Sequence, residues 1–254
     1  MWEKISINTH FFGHDRVYSA TCPSTNQLAG QLLAKKKLTE GTLIITAHQT
    51  HGKGQRGSTW LSIPYKNLTF SLVLYPTFLE VAESFSLTMS VSLAVQQVLA
   101  QYITNGLKIK WPNDLYGQHL KLGGILIENA VQGKRLATSI VGIGLNINQE
   151  NFDFEGATSL LQMSGQAVAL PRLLSQLLET LEKNYLQLKA HGSADLQEAY
   201  YKHLYWMGET HTFQDQEGRF KGKITGIDQY GRLVIQRNGS HLKHYELKEV
   251  VFVQ

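Results

Sequence analysis

Two closely spaced polar blocks constrain this chain most. They read Lys-Trp-Pro-Asn-Asp-Leu-Tyr at positions 110–116 and Lys-Leu-Gly-Gly-Ile-Leu-Ile-Glu at positions 121–128. Alternating apolar residues before Pro112 predict a half-buried strand that ends at the proline, and the Asn-Asp pair after it predicts a turn. A second, strongly apolar strand is predicted to begin at Gly124. Cations, an amide and a carboxylate would then meet beside a Gly-Gly pair where a ligand can approach the backbone, although an ordinary hairpin has the same pattern.

A second polar loop lies upstream, at positions 48–60. The β-branched run at 42–47 predicts a buried strand that leads into it, and three glycines follow with Lys53 and Arg56 among them. Such a loop can surround an anion with backbone amides and positive charge. Its spacing differs from the nucleotide-binding Gly-x-x-x-x-Gly-Lys-Ser/Thr loop, and a plain glycine-rich hairpin is the alternative. Trp60 is a candidate for stacking on a planar ring, with a core position as the alternative.

The hydrophobic pattern predicts regular elements along most of the remaining chain. The stretch up to about Cys22, with Ile5 and Ile7 in alternation and then Val17-Tyr18, predicts one or two short strands. Ser24 is predicted to cap a helix that ends in the lysines at 35–37. Residues 156–160 are interpreted as a linker. Further strands are predicted at 68–75 and 136–145, and further helices at 81–102, 171–191 and 194–205.

Composition changes near Met207. Downstream of it, short β-prone runs are separated by turn-forming residues at the spacing of a small all-β barrel. We therefore expect two domains, at 1–207 and 208–254. The predicted turns of the second domain lie at 216–218, 228–231 and 238–240.

Composition excludes several broad classes of protein. The chain has 254 residues, 43% hydrophobic and 17% charged, and a net charge of +4, which suits a phosphate-bearing ligand without demonstrating a nucleic-acid partner. A single cysteine, Cys22, excludes an internal disulfide and fits a reducing compartment. No signal-peptide or membrane-span pattern is found, so we expect a cytoplasmic location. His241 and His244 would point to opposite faces of a strand, and the ten histidines predict no metal site.

Taken together and in order, these motifs resemble biotin protein ligase. The resemblance covers nearly the whole chain, and its most specific part is the spacing between the two central blocks. It implies an α+β fold, with a mixed sheet flanked by helices, related to class II aminoacyl-tRNA synthetases and lipoate ligases, and a C-terminal SH3-like β barrel. The motifs that carry the resemblance are Ser24-Thr25-Asn26, Gln49, the loop from Gly52 to Trp60, Lys110 to Asp114, Lys121 to Leu126 with Glu128, and Gly142 to Asn146.

The resemblance implies an ATP-dependent ligase that makes biotinyl-5′-adenylate and transfers biotin to a lysine of a biotin carboxyl carrier protein. It implies that Lys121, Lys53 and Arg56 are catalytic, and that Asn113 and Asp114 help to place Mg²⁺. The residues implied for biotin are Ser24, Thr25, Asn26, Gln49, Gly52, Lys53, Gln55, Lys121, Gly123, Gly124 and Gly142. Those implied for ATP are Lys53, Arg56, Gly57, Ser58, Trp60, Lys110, Asn113, Lys121 and Asn146.

The glycine-rich loop departs from the family pattern. The family loop commonly reads Gly-Arg-Gly-Arg-x-Gly, whereas the two arginine positions here are Lys53 and Gln55, with Arg56 one place later. Lysine keeps the charge and loses the bidentate fork of arginine, and glutamine loses the charge. We expect Arg56 together with Lys53 to supply the missing charge.

Members of this family that repress transcription carry an N-terminal DNA-binding domain. Only 23 residues precede Ser24, so we expect a ligase without repressor activity and without a DNA partner. A lipoate or octanoate ligase on the same core is the nearest alternative enzyme, and a basic RNA-binding module is an alternative from another class. The sequence leaves the oligomeric state open, with a homodimer among the states considered, and no membrane association is expected.

Overall fold

A seven-stranded mixed sheet forms the centre of the molecule. The computed structural model describes residues 5–153, 155–237 and 241–253, with the Arg56 side chain excepted. Its strands lie in the order β1-β2-β5-β9-β8-β7-β6, with β1 parallel to β2 and the other neighbours antiparallel. The strands are β1 (Arg16–Cys22), β2 (Thr42–Gln49), β3 (Gly52–Lys53), β4 (Thr59–Trp60), β5 (Leu68–Leu74), β6 (Leu107–Lys110), β7 (Asp114–Gly117), β8 (Leu120–Gln132) and β9 (Arg135–Leu145), of which β3 and β4 form a separate two-stranded hairpin.

Helices cover both faces of this sheet, which explains why its central strands are continuous apolar runs. On one face Ala29 packs with Ile44 and Val73, and on the other a large cluster includes Leu43 and Phe70 together with the buried residues of two long helices. No described helix is long and apolar enough to cross a membrane. The helices are α1 (Thr25–Leu33), α2 (Ser84–Leu99), α3 (Leu160–Ser164), α4 (Leu170–His191) and α5 (Ala194–His203).

The C-terminal strands form a five-stranded antiparallel sheet in the order β13-β12-β11-β10-β14, as the barrel prediction required. Its apolar residues, including Phe213 and Ile235, belong to the same cluster as the larger sheet. Trp111 Nε1 donates to the carbonyl of Gly231 at 2.9 Å, which ties the first central block to this barrel. The strands are β10 (Thr210–Asp215), β11 (Gly218–Ile227), β12 (Leu233–Arg237), β13 (His241–Tyr245) and β14 (Val251–Val253).

Several predictions about individual elements are wrong. The residues after the predicted turn begin a strand, β7, and the next strand starts at Leu120 instead of Gly124, because residues 114–117 pair with residues on both sides. Residues 156–160 are no linker, since Lys121 N donates to the Gly156 carbonyl at 2.8 Å and Leu160 is fully buried. Of the one or two strands predicted before Cys22, β1 forms around Val17 and Tyr18, whereas Ile5 and Ile7 lie outside any strand.

Two further outcomes concern the N-terminal helix and the barrel turns. Ser24 occupies the N-cap position of α1, but its side chain makes no capping hydrogen bond, and α1 ends at Leu33 before the lysines. The chain turns near 216–217 and 228–232, as predicted. The predicted turn at 238–240 lies outside the described residues.

The indole of Trp111 offers a test of how the barrel is attached. We expect Trp111→Phe to lower the free energy of unfolding by about 1–3 kcal/mol, because the carbonyl of Gly231 loses its buried donor. Urea unfolding measures this change. Tyr230→Phe, next to Gly231 but with an exposed ring, is the control and should change it by less than about 0.5 kcal/mol. Equal stability of the two variants would show that the barrel does not depend on this bond.

Candidate functional site

The floor of the candidate site is a patch of the large sheet in which Gly124, Gly142 and Gly144 leave the backbone uncovered. Asp114, Gly124, Gly144 and Thr69 face one another in register across β7, β8, β9 and β5. Because alternate residues of a strand point to the same face, Gly142 continues this patch beside Gly144. A cavity of about 160 Å³ lies above it, on the side covered by α1.

Two of these glycines leave room for side chains that close over the floor. A Cβ atom on Gly144 would lie 2.6 Å from Cε2 of Trp60, and one on Gly142 would overlap the amide of Asn26. Both distances are too short for a real Cβ contact. The glycines therefore allow Asn26 of α1 and the Trp60 ring to lie directly against the sheet backbone.

One end of the cavity is lined by uncharged hydrogen-bonding groups at the start of α1. Gln49 Oε1 accepts from the Thr25 backbone N–H at 2.8 Å and lies 3.1 Å from the Thr25 hydroxyl. The Ser71 hydroxyl lies 2.7 Å from Thr25 Oγ1 and 2.6 Å from Asn26 Oδ1. Ser24 also lines this end, and its hydroxyl is not used as a helix cap. These groups can hold a neutral polar ring through donors and acceptors of fixed position.

The other end of the cavity carries charge. Lys121 Nζ lies 2.7 Å from Asp114 Oδ1, and both side chains remain partly exposed, by 36% and 26%. Asn113 is buried beside them, and its amide donates to the Ile125 carbonyl. Lys53 lines the same cavity. The site therefore grades from neutral hydrogen-bonding groups to cations along its length, which suits a molecule with a neutral head and an anionic tail.

Trp60 forms a wall between this cavity and a second one. The second cavity, of about 260 Å³, is lined by Trp60, Lys121 and Asn146 among others. Asn146 is held in place by a hydrogen bond from its side-chain nitrogen to the Thr158 carbonyl at 3.1 Å. Among the described residues Trp60 Nε1 is buried without a hydrogen-bond partner, and such a donor costs about 1–3 kcal/mol unless a ligand satisfies it.

The glycine-rich segment folds as a hairpin, which was the alternative that its sequence allowed. Gly52 pairs with Trp60 and Lys53 with Thr59, and residues 55–57 form a single 3₁₀ turn. The Gly54 N–H donates to the Ser58 carbonyl at 2.7 Å, which closes the hairpin. The turn carries Gln55 into the cavity.

Lys110 lies apart from the cavity lining. Its ammonium group lies 4.6 Å from the ring centre of Tyr116 and 4.9 Å from that of Phe252 in β14. Burial lowers the pKa of this ammonium, with a further lowering by Lys121 and an opposing effect of Asp114. Burial and then Asp114 raise the pKa of Tyr116 to about 12, so its phenol stays neutral beside the lysine. Lys110 thus makes cation–π contacts with the barrel in the present arrangement.

The structure brings most of the predicted site residues together, while their individual roles stay predictions. Of the rest, Asn146 lines the second cavity and Lys110 faces the barrel. The other predicted glycines lie next to lining residues in the chain, with Gly52 in β3, Gly57 in the 3₁₀ turn and Gly123 in β8. The Arg56 side chain lies outside the described part of the chain. The predicted residues that line the main cavity are Ser24, Thr25, Asn26, Gln49, Lys53, Gln55, Ser58, Trp60, Asn113, Asp114, Lys121, Gly124 and Gly142.

Sequence reasoning missed several residues of the site. Thr69 lines the cavity and Ser71 holds Asn26, but both sit in an apolar run that indicated only a buried strand. Leu247 and Lys248 reach the cavity from the barrel, where no local pattern pointed to a ligand. Gly144 lies in the predicted motif from Gly142 to Asn146, and the structure adds it to the cavity lining beside Gly142.

Comparison with known proteins decides which family uses this arrangement. The family model described as the Biotin/lipoate A/B protein ligase family matches residues 18–146, which is about half of the chain and holds both central blocks. The chain belongs to this family. Among the described residues, those that the family match spans supply nearly all of the cavity lining, with the two barrel residues as the additions.

Relatives within the biotin/lipoate ligase family extend the similarity to most of the chain. The bifunctional ligase/repressor BirA of Bacillus subtilis is 30% identical over 247 residues, covering 95% of this chain and 75% of that protein. The biotin--[acetyl-CoA-carboxylase] ligase of Paracoccus denitrificans is 28% identical, covering 85% of this chain and 92% of that one. The solved biotin protein ligase of Aquifex aeolicus in complex with biotin and ATP superposes with a TM-score of 0.77 at 25% identity, covering 95% and 99% of the two chains.

The glycine floor of this family member can be tested directly. We expect Gly142→Ala to destabilise the fold by about 1–3 kcal/mol and to weaken binding of biotin, the ligand of the Aquifex relative, because Cβ displaces Asn26. Calorimetric titration with biotin and urea unfolding measure the two effects. Gly30→Ala in α1 is the control, since its Cβ meets only Ile140 at 3.9 Å and alanine favours the helix. Unchanged biotin binding in Gly142→Ala would remove the floor from the site.

Proposed function

We propose that this chain is an ATP-dependent biotin protein ligase. The observation that carries the proposal is the graded cavity, with a neutral hydrogen-bonding end at Thr25 and Gln49 and a cationic end at Lys121, in a chain of the biotin/lipoate ligase family. The neutral end suits an uncharged ureido ring, and the cationic end suits a carboxylate that meets a phosphate. The second cavity behind Trp60 is the place for the nucleotide.

The first chemical step joins biotin to AMP. A carboxylate oxygen of biotin attacks the α-phosphorus of ATP, the bond from that phosphorus to the bridging oxygen breaks, and pyrophosphate leaves. Negative charge accumulates on the α-phosphate oxygens during this step, so a fixed cation lowers the barrier more than it stabilises the substrates. Lys121, which lines both cavities, supplies that cation in our proposal.

Asp114 sets the position of Lys121. Their 2.7 Å ion pair holds the ammonium over Gly124 in the absence of substrate, so little reorganisation is needed when an anion arrives. The described residues contain no cluster of three or more metal-binding side chains, but Mg²⁺ is usually held by one or two carboxylates together with substrate phosphates. Asp114, with Asn113 beside it, fits that requirement. Mg²⁺ would neutralise phosphate charge there.

The second step transfers biotin to protein. The neutral amine of an acceptor lysine attacks the acyl carbon of the adenylate, the acyl–oxygen bond breaks, and AMP leaves with the electron pair. We propose a biotin carboxyl carrier domain as the acceptor and the cytoplasm as the location, in keeping with the single cysteine. Trp60 and the 3₁₀ turn beside it would shield the adenylate from water before transfer.

Pyrophosphate release with ATP separates this proposal from the lipoate or octanoate alternative. We expect release with biotin and little or none with lipoate or octanoate, because those acids have no ureido group to satisfy the polar groups at Thr25 and Gln49. Transfer of labelled biotin to a carrier domain completes the assay. Turnover with lipoate in the absence of any turnover with biotin would refute the proposal.

Replacing Lys121 tests its catalytic role. Lys121→Ala should slow adenylate formation about 10²- to 10³-fold while leaving the fold intact, because its side chain is partly exposed. Single-turnover pyrophosphate release and circular dichroism are the measurements. Lys134→Ala, an exposed lysine in the β8–β9 turn, should match the parent. Near-parental rates in a folded Lys121→Ala variant would exclude this lysine from the chemistry.

A further test asks which cation replaces the family arginine absent at Gln55. Arg56 is the sequence-based candidate, whereas the barrel places Lys248 in the cavity lining together with Gln55. If Lys248 supplies the charge, Lys248→Ala should raise the KM for ATP and the hydrolytic loss of adenylate several-fold, and Arg56→Ala should do neither. Adding Gln55→Arg to Lys248→Ala should restore part of the loss. The amount of released adenylate, measured in the parent, the two single variants and this double variant, decides between the two cations.

A further inference from the structure

The hydrogen bonds of Asn26 carry an inference about Glu128. Asn26 is 4% exposed and lines the neutral end of the cavity, while Glu128 lies on the neighbouring strand β8. The Asn26 side-chain nitrogen donates to Glu128 Oε2 at 2.7 Å and to the Leu126 carbonyl at 3.2 Å. Both acceptors lack a hydrogen to donate in return, so the two amide hydrogens of Asn26 are committed to them.

This commitment fixes which side of the amide faces the ligand. With its nitrogen turned to Glu128, Asn26 directs Oδ1 toward Ser71 and the space above Gly142. Ser71 satisfies one lone pair of that oxygen, which leaves the second lone pair for a donor in the cavity. An amide without such a fixed partner can present either its oxygen or its nitrogen. The Glu128 carboxylate, which accepts the shorter of the two bonds, removes that ambiguity together with the Leu126 carbonyl.

Glu128 also separates the cavity from a groove outside it. An open groove of about 440 Å³ is lined by Glu128, Ile140 and Tyr75 among others. Along β8 the residues Gly124, Leu126 and Glu128 share one face, so the order from Lys121 to the groove is cationic end, neutral end, Asn26, Glu128. A ligand with its carboxylate at Lys121 would therefore end at the bond between Asn26 and Glu128.

We propose that Glu128 is a positioning residue for biotin specificity: by orienting the Asn26 amide it presents an acceptor to a ureido N–H and closes the cavity against ligands that are longer at that end. The inference rests on the proposed function. Glu128 acts through Asn26 and touches no substrate. Its carboxylate makes a charge-assisted bond, which is stronger than a bond between neutral groups and holds the amide more firmly.

Pyrophosphate release with ATP and biotin tests this role. Glu128→Ala should raise the KM for biotin about tenfold or more and change kcat less than about threefold, because the lost bond positions the ring and not the reacting carboxylate. Glu128→Gln, which keeps an acceptor oxygen, should stay within about threefold of the parent. Thr138→Ala, at a residue that lines the same groove but not the cavity, should leave both constants unchanged.

A second substrate probes the orientation of the amide. Biotin methylated at a ureido nitrogen, tested as both regioisomers, loses one donor and gains length at the ring end. We expect the parent to use one of the two regioisomers less well than the other. Glu128→Ala should reduce this difference about tenfold, because the acceptor oxygen is held less firmly and the groove is open. If Glu128 had only a structural role, Glu128→Ala would weaken the use of the two regioisomers by the same factor.

The outcomes separate the two proposals. A parent protein that releases no pyrophosphate with biotin would refute the proposed function, and the role of Glu128 with it. An active parent with an unchanged KM in Glu128→Ala, or with equal discrimination in both proteins, would refute the role of Glu128 alone. If Glu128→Ala does not fold, Asn26→Asp takes its place. That change puts two carboxylates in contact, and adding Glu128→Gln should recover biotin use, whereas no recovery would overturn the proposal.

Discussion

The close approach of α1 and Trp60 to the glycines of the sheet floor is the constraint on which the rest of the site depends. Alternate glycines at 142 and 144 create that floor, and pairing with β8 extends it to Gly124. A larger residue at 142 or 144 would push its covering side chain away from the sheet. Glycine costs conformational entropy in a strand, so its use at alternate positions indicates that the space above it matters.

The two lysines of the central blocks have different surroundings, because Lys121 lines the cavity and Lys110 contacts aromatic rings outside it. Lys121 meets Asp114 at the cavity wall, where partial exposure keeps its ammonium available to an anion. Lys110 is more deeply placed between Tyr116 and Phe252, and burial lowers its pKa. The same motif therefore supplies a group for chemistry and a contact with the barrel. Any role of Lys110 at a phosphate requires that it leave those rings.

The barrel is part of the site as well as a neighbour of it. Lys248 and Leu247 line the cavity, and Trp111 binds the barrel through the Gly231 carbonyl. The first central block is thus fixed at one side by the barrel and at the other by β8. The predicted division at residue 207 stays a proposal, since apolar residues on both sides of it share one continuous core.

The sequence by itself determined the alternation of strands and helices, the C-terminal all-β segment and most of the residues that line the cavity. Those features depend on local periodicity and on motifs whose spacing is read along the chain. Only the tertiary structure decided that Ser71 and Lys248 join the site, that Lys110 faces Phe252, and that Glu128 orients Asn26. These contacts join residues far apart in sequence, and sheet register and packing, which no local pattern encodes, bring them together.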